Sequence, residues 1–148
     1  MGKRRKWLRR GVLLLTVLWI CFIFSRSLQN ADSSDSESGF VLRLLQKLNL
    51  GVSMHFVRKL AHFTEFWILG FLSLTGFRLY GKKSFLLPAL FGLLIAAADE
   101  TIQRFVPGRS GQIMDVLLDF CGVAAGCLAA LVIRRLLLWR RKRKENRP

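Results

Sequence analysis

Apolar residues run along this chain in long blocks, without the alternation of half-buried strands or the narrow stripe of amphipathic helices. Residues 11–24 hold almost no polar side chain, and Trp7 and Leu8 lengthen the block if Arg9 and Arg10 snorkel. A second block lies between Arg58 and Arg78. A helix of that length rises about 30 Å, the thickness of a bilayer core. A third starts near Ser84 and is apolar to Ala98, with Pro88 close to its first turn, where proline is tolerated. It is expected to stay helical to about Phe105. The fourth follows Pro107-Gly108-Arg109-Ser110 and ends near Trp139, with Pro107-Gly108 as a turn and Ser110 as N-cap. The pattern predicts an all-α membrane domain over residues 1–148, a polytopic bundle of four transmembrane helices at about 8–24, 58–78, 84–105 and 111–139.

The long connection after the first block divides in two. Residues 29–39 (QNADSSDSESG) are acidic and serine-rich, the composition of a flexible loop. Beyond them Phe40, Val41, Leu44, Leu45 and Leu48 recur at helical spacing, with Arg43, Gln46 and Lys47 between. That pattern predicts an amphipathic helix, either in the outer membrane interface or packed on the bundle.

Composition agrees with a membrane domain, since 52% of the 148 residues are hydrophobic. The net charge of +15 would suit a nucleic-acid binder if it were spread over a surface. Instead it is confined to residues 1–10, to Arg78, Lys82 and Lys83, and to residues 134–148, which hold eight basic side chains and one acidic. The rest of the chain is close to neutral. Four spans put these three segments on one face, and basic segments flanking spans mark the cytoplasmic side. Both termini are therefore expected in the cytoplasm, with residues 140–148 as a basic tail and no nucleic-acid partner. A basic start followed by a short apolar run also describes a signal peptide, but Ser25-Arg26-Ser27 is a poor cleavage site.

Cys21, Cys121 and Cys127 all lie inside predicted spans, which argues for packing residues over a disulfide framework or a zinc site. Gly122 and Gly126 form a GxxxG continued by Ala130, and Gly92 with Ala96 gives a similar small face. Small faces let helix backbones approach closely in lipid, within one bundle or between copies in a homo-oligomer.

Ionisable residues at the ends of the spans carry the candidate chemistry. Lys59, His62 and Glu65 recur every third residue on the second span, so His62 can contact a cation on one side or a carboxylate on the other. Asp99 or Glu100 can pair with Gln103 on the third. Asp115 and Asp119 share a face of the fourth, and Arg109, just before it, can reach back over them. The predicted topology brings all of these to the external side. Charge at membrane depth is costly and usually pairs, faces a bundle interior or lines a cavity. His55 is read as an interfacial side chain outside this group.

Three blocks carry a family resemblance: Arg58-Lys59-Leu-Ala-His62-Phe-Thr-Glu65, then residues 98–111 (ADETIQRFVPGRSG), then Asp115-Val-Leu-Leu-Asp119-Phe-Cys-Gly122. In order and spacing they resemble the VanZ-like family, and Ser25-Arg-Ser27 looks like that family's serine-bearing end of the first span. Phe66 stands where tyrosine is frequent there, and Asp119 where asparagine is. The resemblance implies a small integral protein of the bacterial cytoplasmic membrane. The founding member is associated with teicoplanin resistance, which implies a role at the cell envelope without assigning resistance to this chain.

Four readings of the polar residues stay open. The network could tie the bundle together. It could bind an envelope ligand, a lipid headgroup or a lipid-linked cell-wall precursor, with Arg58, Lys59, Arg104 and Arg109 holding phosphate or carboxylate. It could serve a hydrolase or transferase with His62 beside Glu65 as general base. It could carry ions, although the inner halves of the spans lack ionisable residues. His62-x-x-Glu65 is too short and common a spacing to define a metal site, and neither metal nor cofactor is expected. Membrane lipids are the expected surroundings and partners.

Overall fold

A computed structural model describes residues 2–29, 53–109 and 112–145. Four helices make up the architecture: α1 (Lys3–Ser27), α2 (Met54–Leu79), α3 (Leu86–Gln103) and α4 (Ile113–Glu145). All four are long and apolar enough to cross a membrane. The expected amphipathic segment at 40–50, the acidic loop and the Ser110 cap lie outside the described residues.

α1, α2 and α4 overrun the spans expected of them, whereas α3 falls two residues short of 84–105 at each end, running from Leu86 to Gln103. α1 begins in the basic leader at Lys3 and continues to Ser27, because Lys and Arg favour helix and nothing in Ser25-Arg26-Ser27 breaks it. α4 likewise runs through the expected basic tail to Glu145. At 26 residues, α2 is a turn longer than its apolar block because Ser53 caps it early, its hydroxyl accepting the Phe56 N–H at 3.2 Å. It ends in a Schellman motif. Gly81 takes a left-handed φ of 86°, while the Lys82 and Gly81 N–H groups bond the carbonyls of Phe77 (2.9 Å) and Arg78 (3.1 Å).

Packing centres on a seam of small residues between α2 and α4. A Cβ on Gly122 would lie 2.6 Å from the Phe63 carbonyl oxygen, and one on Gly126 would collide with that of Trp67. In return, a side chain on Gly70 would strike the Val123 backbone. Gly92 of α3 gives room to the Val123 side chain, and Ala96 is buried beside it. The GxxxG is thus used inside the bundle, where backbones touch because lipid offers no hydrophobic drive to hold helices together. Phe66, Leu69, Leu74, Val123 and Cys127 fill the core, and Cys127 donates its thiol to the Gly70 carbonyl at 3.3 Å. All three cysteines are free.

α1 sits at the edge. Thr16, Ile23 and Ser27 are its buried residues, while Leu13, Leu14, Leu15 and Leu18 face outward. Exposed leucine, isoleucine and phenylalanine continue around the other helices. A patch of this extent needs a hydrocarbon solvent, and the chain is a multi-pass membrane protein. Threonines in the spans satisfy their hydroxyls locally, as Thr75 does on the Phe71 carbonyl (2.7 Å).

The two ends of the bundle differ in chemistry. At one, Arg5, Arg78 and Arg134 from three helices line an apolar groove of about 390 Å³. The other end gathers the carboxylates.

Candidate functional site

Each helix delivers polar residues to the same end of the bundle, and the turn before α4 adds a fifth piece. Val106-Pro107-Gly108-Arg109 closes with the Arg109 N–H bonded to the Val106 carbonyl at 3.2 Å, and Gly108 has φ 78°. Proline followed by a glycine at positive φ defines a type II turn. This turn aims Arg109 back at α1, where Nη1 lies 3.5 Å from the carbonyl oxygens of Arg26 and Ser27. A cation there also meets the negative end of the helix dipole.

The carboxylates take partners from other helices. Glu65 on α2 pairs with Arg26 on α1 at 2.9 Å, and the Glu65 carbonyl receives the Trp19 indole N–H at the same distance. Lys59 on α2 pairs with Asp115 on α4 at 3.2 Å. Glu100 on α3 accepts the backbone N–H of Gln112 at 3.1 Å, helping to set the start of α4. Asp99, fully buried, accepts Gln103 Nε2 at 2.8 Å on one oxygen and the Ser27 hydroxyl on the other. Asp119 is different: it is 0% exposed, and neither of its oxygens has a hydrogen-bond partner among the described residues.

His62 stands between these groups. Its Nδ1 is buried without a hydrogen bond among the described residues. One ligating atom from each of His62, Asp99 and Asp119 lies within 4.8 Å of the other two, so this trio from three helices could hold a metal ion. The His62–Glu65 spacing in the sequence pointed to a different pair, and in the fold Glu65 is engaged by Arg26.

Beside His62 a cleft of about 80 Å³ opens. Arg58, Lys59 and His62 of α2 line it with Gln103, Gly108, Arg109, Gln112, Asp115 and Leu118. His55 also lines it, which corrects its reading as a bystander: one helical turn before Lys59, it stands above the same face. Arg104 is exposed and not among the lining residues. Arg109 lies outside the spans, and burial, then the charge of Arg58, pull its guanidinium below its ordinary value, while Asp99 and Glu100 oppose that shift.

Of the residues expected from the sequence, Lys59, His62, Gln103, Arg109 and Asp115 share the cleft. Asp99 and Asp119 lie behind His62, Glu65 faces α1, and Glu100 holds the α4 start. Arg26 and Ser27 were missed as members of the site. The signal was present in Ser25-Arg26-Ser27, but the expected span stopped at Phe24, one turn short of them.

A family model described as VanZ/LLP1 matches residues 12–134. No curated protein and no solved structure matches the chain. The match reaches into all four helices and covers every residue of the site, so this protein belongs to the VanZ-like family.

Proposed function

We propose that the polar end of the bundle binds an anionic group of the cell envelope at the outer face of the bacterial cytoplasmic membrane. The observation carrying this reading is the convergence of Arg58, Lys59 and Arg109 on one cleft at the ends of the helices. Arg forks suit phosphate oxygens, and Lys adds a point charge. A volume of about 80 Å³ takes a phosphate or carboxylate, leaving the ligand's tails in the surrounding lipid. A phospholipid headgroup and the pyrophosphate of a lipid-linked cell-wall precursor share this chemistry. Altered glycopeptide susceptibility would follow in the second case.

The outward orientation is supported by the basic segments gathered at the opposite end. Cysteines introduced at Ser34 and Lys142 should label from outside and inside respectively, and labelling of both from one side would overturn it. Native mass spectrometry of the purified chain tests the ligand. Phosphate-bearing lipids should co-purify with the wild type and be depleted in the Arg58→Gln, Lys59→Gln double variant. An unchanged lipid profile would count against the site. A purely structural role has one observation in its favour, since the ion pairs join different helices. It predicts loss of folded protein, not loss of a ligand, when the cleft's cations are neutralised.

A further inference from the structure

We infer that His62, Asp99 and Asp119 form a binding site for a divalent transition-metal cation at the floor of the cleft. Three observations meet there. The donors come from α2, α3 and α4, so no local helical spacing explains their gathering within 4.8 Å. Asp119 is wholly buried with both oxygens unpartnered among the described residues, and the buried Nδ1 of His62 is unpartnered too. An isolated buried carboxylate is too costly to keep for packing alone, and burial of a charge is offset by pairing or by coordination of a metal. Third, the remaining groups have the character of a supporting shell. Ser27 and Gln103 bond the two Asp99 oxygens and hold that carboxylate in place, as outer partners of metal ligands do.

One imidazole nitrogen and two carboxylate oxygens suit Mn2+ or Zn2+, whereas Ca2+ prefers an all-oxygen cage. Ligands around an ion at about 2.1 Å stand at most about 4.2 Å apart, so small side-chain rotations complete the geometry. His62 lines both the trio and the open cleft, which provides an entry path. The cation's role rests on the anionic-ligand reading, since it would sit beneath an arriving phosphate, but its binding is measurable without any ligand.

The test uses the full chain in phosphatidylcholine nanodiscs, stripped with EDTA and titrated with Mn2+ by electron paramagnetic resonance. We expect one Mn2+ per chain at sub-millimolar concentration, displaced by Zn2+. Asp119→Asn and His62→Gln should abolish it, and Ser27→Ala should weaken it by about 10–100-fold. A melting experiment supplies a sign that misfolding cannot mimic. In EDTA Asp119→Asn should melt no lower than the wild type, because it removes the unpaired charge, and Mn2+ should raise the wild type alone. Absence of Mn2+ binding by the wild type, as expected if Asp119 is protonated, overturns the inference, and so does equal binding by both ligand variants. Mn2+ binding without phosphate-lipid selectivity would refute the headgroup reading and leave the cation standing. Lipid selectivity without Mn2+ would do the reverse.

Discussion

The two ends of the bundle are both rich in charge and solve its cost in opposite ways. At the basic end Arg9 donates to the Leu79 carbonyl at 2.8 Å and lies over the Tyr80 ring, while the α4 extension carries its cations on an exposed helix. The ion pair described there, Arg141–Glu145, is local to α4 and exposed. Apart from Arg9, such charges reach water or lipid phosphates by snorkelling and need no partner on another helix. At the polar end, the acids are held between helices, and each pairing fixes where one helix stands relative to another. Charge count alone therefore does not locate a site. What separates the ends is that the paired acids at one are committed to atoms on other elements, while most cations at the other are committed to a phase.

Between the ends lies the seam that holds them in register, and disrupting it should produce the largest effect. Gly126→Leu places a side chain where the Trp67 carbonyl already stands, a backbone contact that cannot swing aside. We expect no folded monomer by size-exclusion chromatography in detergent. A folded Gly126→Leu would mean that α2 and α4 are not in contact as described. Next in size is Glu65→Ala, which removes the acid paired with Arg26 at the α1–α2 junction. Breaking a buried pair costs about 3–5 kcal/mol, and with side-chain exposures of 25% for Arg26 and 12% for Glu65 about 2–3 kcal/mol is expected. Chemical denaturation in mixed micelles measures it. A loss as small as that from a basic-end substitution would erase the distinction between the ends.

Features set by local sequence are readable from it, and those set by distant contacts are not. The spans could be read because hydropathy is local, and the Pro107-Gly108 turn because its residues determine its dihedral angles. The common end of Lys59, His62, Gln103, Arg109 and Asp115 follows from counting spans. Pairing was hidden, because it depends on helix rotation, which is set by contacts such as Gly126 on Trp67. His62 has Glu65 three residues away in the sequence, yet the trio is built with Asp99 and Asp119. Arg26 and Ser27 were lost for another reason. Hydropathy fades before the helix does, so a site built on the last polar turn of a span falls beyond the apparent boundary.

Arg109 separates holding from binding within the polar end. The turn that carries it closes through backbone, so that hydrogen bond survives truncation of the side chain. Arg109→Ala should therefore keep the fold, at a smaller cost in stability than Glu65→Ala. Binding of phosphate lipids should fall at least about tenfold, as the loss of one charged hydrogen bond implies. The assay is lipid competition in nanodiscs, with melting temperature as control. If folding is lost instead, Arg109 belongs to the scaffold. If neither changes, it is not a ligand contact.

The smallest effect is expected at the far end of α4. Arg141 and Glu145 are 78% and 62% exposed as side chains, a surface pair four residues apart. Water and salt screen such a pair, so removing it should change stability by less than about 0.5 kcal/mol. Arg141→Gln in detergent should thus melt with the wild type, beside a Glu65→Ala variant that does not. The same substitution gains meaning in a membrane. If the basic end is committed to lipid phosphates, loss of one cation near the surface should weaken attachment to anionic bilayers by about 1 kcal/mol. Melting in phosphatidylglycerol nanodiscs should then drop slightly, and melting in phosphatidylcholine should not. A marked drop in both lipids would mean that Arg141 holds a specific partner within the protein. The contrast between charges committed to atoms and charges committed to a phase would then fail at its simplest case.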